Sequence, residues 1–470
     1  MLALLTPLLL SAGLATAKRS DAQEATANSL IYGLPLPIFA ATVINGAQSS
    51  DWKTNTLVHE DHLSTAEDNN VVMPNVDTVY SFAVLGSQGD VVAEMGYYEE
   101  GRFSSWSFYD IAARWVPFTT TRWESTVLPT ATRIPVASGR PIATGEYAGT
   151  IYVPTVYGLS LVRHQVNSQA DLEYIVANIQ PQYTLTEIPR ENNSSSAPAA
   201  PPLTTELLTE GIDSSNTALA TMQLLARFAR TNPPEMASQV HDISAMLALA
   251  GVDMANQTYA TPSGVNLTVA QGTAGAAIAA VPLDASDWIR PNADGAWVLP
   301  DPSFAGDFGS AYAERAYLCT TGYLLMTSDQ AMYPTYRAAN PADKLSFLSN
   351  QTYLVEFSGK PPVNAFWSLT MYNEDGSLVD SGDALPEDRY SVNDRGNLTY
   401  PDGTLVYGDG ADEEKDGTFY VLLQSTDVAI APEWESNWLP SPGEIKPSRL
   451  RSGGTPRRMR SSTGRMSTRS

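Results

Sequence analysis

Alternation of apolar and polar residues at every second position dominates two separate blocks of this chain, and that pattern limits what it can fold into. The first block spans 70 to 163 and contains "VVMPNVDTVYSFAVLG", "GRFSSWSFYDI" and "GTIYVPTVYGLSLVRHQV". The second begins at Thr352 and contains "TYLVEFSG", "VNAFWSLTMYNEDGSLV", "RYSVNDRGNLTYPDGTLVYGDG" and "DGTFYVLLQS". Period two, with Val, Tyr, Phe and Thr enriched, belongs to pleated strands whose two faces meet different surroundings. Asn373-Glu374-Asp375-Gly376 and Pro401-Asp402-Gly403 supply the Asp-Gly steps that tight reversals need. Short strands joined by such turns predict antiparallel sandwiches rather than a parallel sheet.

Helical spacing fills the rest. "SDAQEATANSLIYGLPLPIFAATV" reads as a helix broken or kinked by Pro35 and Pro37, and "SQADLEYIVANIQ" as a short one. Residues 206–250 predict two or three helices, split at Asn232-Pro233-Pro234 and ended by Gly251. "FGSAYAERAYLCTTGYLLM" (308–326) predicts another. "PRENNSSSAPAAPPLTT" is the clearest linker. The organisation expected is a leader at 1–17, a helical segment at 18–50, a β-domain at 51–188 and a linker at 189–205. A helical segment at 206–300, a second β-domain at 301–445 and a disordered basic tail at 446–470 complete it.

Charge narrows the partners. The chain carries −23, but residues 446–470 hold Lys446, seven Arg and no acid, so removing those eight positive charges leaves −31 for the remainder. Such a body repels nucleic acid and anionic membranes. "MLALLTPLLLSAGLATA" has no charge and ends in Ala15-Thr16-Ala17, which reads as a secretory signal cleaved after Ala17 and predicts an extracellular protein. As an anchor the run is short for a membrane span, so no membrane association is expected after cleavage. Sequons at Asn192, Asn193, Asn256, Asn266, Asn350 and Asn397 predict glycosylation. The single cysteine, Cys319, excludes an intramolecular disulfide and reads as a buried apolar side chain on a helix. Composition says nothing about oligomeric state.

Few motifs carry chemistry. "HEDH" (59–62) holds the only histidine pair, at a spacing that does not match H-E-x-x-H. A polar loop ahead of the first strand is the simpler reading, and no metal or cofactor is assigned. G-x-S-x-G, G-x-x-x-x-G-K-[ST] and G-x-G-x-x-G are absent. The stretch Asn75-Val76-Asp77-Thr78-Val79-Tyr80 supports two readings. In one, Pro74 presets a turn, Asn75 and Asp77 bond nearby amides, and Tyr80 packs with its hydroxyl satisfied. In the other, Asp77 and Tyr80 join His59, Arg102 and Asp110 in a cleft where a carboxylate, a phenol and an imidazole move protons. In "AFWSLTMY", Phe366 and Trp367 alternate, so one faces the core and the other a surface or neighbouring domain.

"NTLVH" (55–59), Asn75-x-Asp77-Thr78-x-Tyr80-Ser81 and "GRFSSWSFYD" (101–110) resemble the domain family DUF1254. "GKPPVNAFWSLTMYNEDGSLV" (359–379), "RYSVNDR" (389–395), "DGTLVYG" (402–408) and "NWLPSP" (437–442) resemble its usual tandem companion, DUF1214. "YGLPL" (32–36), "NPP" (232–234) and "FGSAYAERA" (308–316) are further echoes. The resemblance implies a mainly β protein with α: an immunoglobulin-like β-sandwich, a helical middle segment and a C-terminal jelly-roll-like β-sandwich. It carries no established activity, substrate or cofactor. The matching positions are Asn55, His59, Asn75, Asp77, Thr78, Tyr80, Arg102, Tyr109, Asp110, Arg315, Trp367, Arg389 and Tyr390, of which Asn75, Tyr109, Arg315, Trp367 and Arg389 are candidate binding residues. Two function classes follow: a secreted enzyme acting on a small or carbohydrate-derived molecule at a pocket between the sandwiches, and a non-catalytic carbohydrate-binding or wall-associated protein. The sequence after "NWLP" departs from the family. It offers no alternating strand, so a wrong gene prediction explains it better than a functional basic tail, and the last sandwich is expected to lack a strand.

Overall fold

The structure is a computed structural model that describes residues 21–47, 53–68, 73–86, 90–95, 101–114, 118–119, 132–137, 150–153, 155–188, 200–234, 236–284, 287–289, 297–336, 351–373, 376–379, 389–442, 448–456 and 465–469. The leader, most of the linker and the sequons Asn192, Asn193 and Asn350 lie outside the described residues. The protein is mainly β with α. Its first part contains β1 (Val58–His59), β2 (Thr78–Gly86), β3 (Asp90–Met95), β4 (Ser104–Asp110), β5 (Phe118–Thr119), β6 (Thr132–Ala137), β7 (Thr150–Tyr152), β8 (Tyr157–Gln165) and β9 (Thr184–Ile188). They form a four-stranded sheet ordered β1-β2-β8-β4 and a five-stranded sheet ordered β5-β7-β6-β3-β9.

The four-stranded sheet organises everything around it. Val79 and Leu85 of β2 and Phe108 of β4 face one way, Tyr80, Val84 and Tyr109 the other, as period two requires. On the first face, Leu85 and Phe108 pack on Val91 and Ala93 of the second sheet, and Val79 and Val162 on Leu172, Ile175 and Ile179. The second face meets helices: α1 (21–33), α2 (Pro35–Gly46), and, after the short α3 (Gln169–Tyr174) and α4 (Thr205–Thr209), α5 (Thr217–Phe228), α6 (Val240–Leu249) and α7 (Leu267–Ala280). So β2 and β8 are buried on both sides. Gly33 lets α1 approach α5, because a Cβ there would lie 2.6 Å from Leu225 Cδ1. The helical run Asp21–Gly46 is long and apolar enough to cross a membrane, yet half of its most apolar window is buried inside the protein.

The later part contains a small hairpin, β10 (Val252–Asp253) and β11 (Thr258–Tyr259), then β12 (Trp288–Ile289) and β13 (Trp297–Pro300). Helix α8 (Tyr312–Thr321) follows and carries the buried Cys319 into the helical layer. The remaining strands are β14 (Thr335–Tyr336), β15 (Thr352–Phe357), β16 (Val363–Asn373), β17 (Ser391–Asn393), β18 (Phe419–Ser425), β19 (Trp438–Ser441), β20 (Ser448–Pro456) and β21 (Arg465–Arg469). Sheets ordered β12-β13-β14-β20-β16-β17 and β19-β18-β15-β21 enclose Trp367, Leu369, Phe419 and Val421. Trp367 is 1% exposed in this core, whereas Phe366 stacks edge-on against Phe103 of the first part at 5.4 Å.

The C-terminal tail corrects the expectation of disorder and a missing strand. Ser448–Pro456 runs antiparallel between β14 and β16, and Arg465–Arg469 pairs with β15. Ladder bonds come from the backbone, so a segment with no apolar alternation can still pair with neighbouring strands.

Candidate functional site

Four stretches singled out in the sequence meet around one small pocket with a cavity volume of about 40 Å³. Tyr32, Pro35 and Leu36 come from "YGLPL", Asp110 from the end of "GRFSSWSFYD", Asn232-Pro233-Pro234 from the end of α5's segment, and Phe308, Gly309, Tyr312 and Arg315 from "FGSAYAERA". The pocket lies on the helical side of the four-stranded sheet, not between the two sheet bodies. Leu225 and Phe228 supply apolar wall, and Asp110, Arg114 and Arg315 supply charge.

Asp110 is placed by strand geometry. It ends β4 opposite Gly158, where a Cβ would lie 2.4 Å from the Tyr109 carbonyl oxygen, so only glycine permits this approach. The chain then reverses through Ala113, at φ 61°. Asp110 Oδ1 closes that loop, accepting from the N–H groups of Ala112 (2.8 Å) and Arg114 (2.9 Å). Its Oδ2 stands 4.0 Å from Arg114 Nη1. Burial raises the Asp110 pKa above the ordinary Asp value, against the pull of Arg114 and Arg315. An acid so held is a proton donor or acceptor fixed in position.

Arg315 is 7% exposed and sits between two aromatic rings, its Cζ 5.0 Å from the centroids of both Tyr32 and Tyr312. Its Nη2 donates to the Tyr32 carbonyl at 2.5 Å, while its buried Nε has no partner. Arg114 Nε donates to Asp307 at 3.2 Å. Asn232 is scaffolding: its side-chain oxygen accepts from Val156 N at 3.0 Å and its amide donates to the Phe228 carbonyl at 2.9 Å. Burial pushes the Tyr32 phenol and the Cys319 thiol up to about 12, so neither ionises near neutrality.

The five residues predicted to share a cleft do not converge. Asp77 faces the other half of the molecule, where Oδ1 accepts from Arg395 Nη2 (2.5 Å) and Asn393 Nδ2 (2.9 Å). Asn75 caps the turn before it, its Oδ1 accepting from Asp77 N (2.8 Å) and Thr78 Oγ1 (3.2 Å), and Asn75 N donates to the Tyr80 hydroxyl at 2.9 Å. Arg102 is consumed by Asp171, with contacts of 2.6 and 2.8 Å, and by the Gln165 carbonyl at 2.7 Å. His59 reaches Ser81 at 2.7 Å on the sheet face opposite Tyr80. His62 instead approaches Asp61 (2.9 Å) and Asp68 (3.4 Å), so the "HEDH" histidines diverge. Burial drops the neighbouring His164 to about 4 and raises Glu60 to about 7. Among the described residues no group of three or more His, Cys, Asp or Glu is arranged to hold a metal.

The candidate binding residues also separate. Arg315 lines the pocket, Tyr109 is fully buried with its hydroxyl donating to the Leu324 carbonyl at 2.8 Å, and Arg389 donates to the carbonyls of Glu435 and Trp438. Trp367, in the core and donating Nε1 to Tyr407 at 2.9 Å, is no stacking platform. Reading the sequence missed Tyr32, Arg114 and Tyr312 as site residues, although "YGLPL" and "FGSAYAERA" had already marked two of the three segments.

Residues 54–187 match the family described as "Protein of unknown function (DUF1254)", and residues 330–450 match "Protein of unknown function (DUF1214)". No protein with a curated description matches the chain. The chain is similar in fold to the crystal structure of the VPA0106 protein from Vibrio parahaemolyticus, with TM-score 0.60 and 14% identity over 96% of this chain and 100% of that one. An uncharacterised protein from Burkholderia cenocepacia aligns at TM-score 0.43 and 12% identity, over 98% of each chain.

Proposed function

From the premise that this chain belongs to the family pairing a DUF1254 with a DUF1214 domain, we infer that it binds and acts on a small polar molecule in the pocket around Asp110 and Arg315. The observation that carries this reading is the convergence of four segments, distant in sequence, on that pocket. Apolar walls with a few fixed polar groups are the usual make-up of small-molecule sites. Asp110 serves as the acid or base, its pKa raised by burial and its position fixed by two backbone N–H groups. Arg315 anchors a polar group of the ligand through its unoccupied Nε, while Phe228 and Leu225 receive an apolar edge.

The ligand class is a small or carbohydrate-derived molecule, and the protein is exported. The uncharged apolar leader and the exposed sequons Asn256, Asn266 and Asn397 support export. No observation favours a non-catalytic glycan platform, since Trp367 and Phe366 are both buried.

A thermal-shift screen of sugars, sugar acids and small hydroxy compounds on the intact protein tests the reading. A hit is expected to bind about tenfold more weakly to Arg315→Met, which loses a charge-assisted contact. Asp110→Asn is expected to keep binding and lose turnover. A hit that neither substitution affects places the ligand elsewhere and ends this reading.

A further inference from the structure

On the face of the four-stranded sheet that carries Tyr80 and Tyr109, β8 presents Arg163, paired across the ladder with Tyr80 on one side and Ser105 on the other. Its Nη1 is buried and bonded to nothing. No ion pair of Arg163 exists among the described residues; it hydrogen-bonds the Tyr109 side chain, lies near the phenols of Tyr333 and Tyr80, and its Cζ stands 5.8 Å from the Tyr80 ring centroid. An uncompensated guanidinium in such a place is unfavourable unless something of opposite charge completes it. The side chain as a whole keeps some accessible surface, so the region around it is not sealed.

The hydroxyl of Tyr80 adds a second unused donor. It accepts from Asn75 N, and its own proton has no acceptor among the described residues. Burial raises the pKa of Tyr80, so that proton stays in place at neutral pH. Tyr109 is already committed, donating to the Leu324 carbonyl and bonded to Arg163, which leaves Arg163 Nη1 free. Two donors without acceptors thus face one region at the seam where the first sheet meets segment 324–333, and the opposite sheet face, with His59 and His164, does not contribute.

We propose that Arg163 and the Tyr80 hydroxyl form a binding site for a small carboxylate, distinct from the Asp110 pocket. A carboxylate offers one oxygen to the free Nη1 in a charge-assisted bond and a second lone pair to the phenol proton. The site is built from β2 and β8 and closed by Tyr333 from the later half, so its occupant bridges the two parts of the protein.

The test is the melting temperature of the full chain in sodium formate or acetate, against sodium chloride at equal ionic strength. A rise that saturates with carboxylate is expected. Arg163→Met is expected to abolish that response and, without carboxylate, to melt no lower than the parent, because it removes an unpaired buried charge. Tyr80→Phe, which keeps the ring, is expected to weaken the apparent affinity about tenfold and covers the case in which Arg163→Met does not fold. Equal stabilisation by chloride or inorganic phosphate, no carboxylate effect in the parent, or an undiminished response in either variant overturns the proposal.

Discussion

Asp77 and Asp110 make an instructive pair. Both are buried carboxylates at the ends of strands in the same sheet, and both have an arginine nearby. Asp77 takes its donors from Arg395 and Asn393, more than three hundred positions away, and so fastens one half of the molecule to the other. Asp110 takes its hydrogen bonds from its own loop and lines a pocket. The source of the donors, rather than burial or the presence of arginine, separates a fastener from a group available to a ligand.

The largest test of that contrast is Asp77→Ala. It takes from the largely buried Arg395 one of its two carboxylate partners, leaving Asp394 at 2.7 Å, and strips Asn393 of its acceptor, so a loss of about 2–3 kcal/mol is expected, measurable by chemical denaturation. Arg395→Met should cost less in the Asp77→Ala background than in the parent, the difference being the coupling across the seam. A cost below about 1 kcal/mol for the single change would mean that Asp77 is not a fastener.

Next comes pH. Burial, helped by Asp77, raises Asp394 beside this seam to about 6, against Arg395 and the Trp367 N–H. A carboxyl whose folded pKa exceeds its unfolded one binds its proton more tightly in the native state. Its contribution is therefore complete at low pH and lost as pH rises from about 4 to about 6, on the order of 1–3 kcal/mol. His164, lowered to about 4 by burial, tilts stability the other way, downward as pH falls from about 6.5. The readout is therefore the difference between parent and Asp394→Asn, which should shrink as pH rises through that window. A constant difference would refute the assignment.

Tyr372→Phe removes a buried hydroxyl that donates to the Pro74 carbonyl at 2.8 Å across the same seam. A loss of about 1 kcal/mol is expected. Asp110→Asn should change stability least, by under about 1 kcal/mol, since an amide oxygen still accepts from Ala112 and Arg114. A large loss there would place Asp110 with Asp77 as a structural group.

Periodicity made the strands legible because it records which residues face a core. The opposite fates of Phe366 and Trp367 follow from it directly. The turn at Asn75 was equally readable, since an Asx side chain bonds its own backbone two residues on. The partner of Asp77 was not, because docking of two folded parts chooses it and no local spacing encodes Arg395. The pocket was half visible: "YGLPL", "NPP" and "FGSAYAERA" stood out as words, but only the packing of helices on the sheet joins them. The β20 pairing was hidden for a different reason, since Arg, Ser and Gly give no alternation and the backbone alone makes that ladder.

The Asp77–Arg395 contact and the Phe103–Phe366 stack bear on inheritance. Either domain made alone would lose the cross-seam Asp77–Arg395 pair and present an uncovered aromatic ring to water. A gene encoding only one of them would yield a sticky, poorly soluble product, so selection has reason to keep both in a single reading frame.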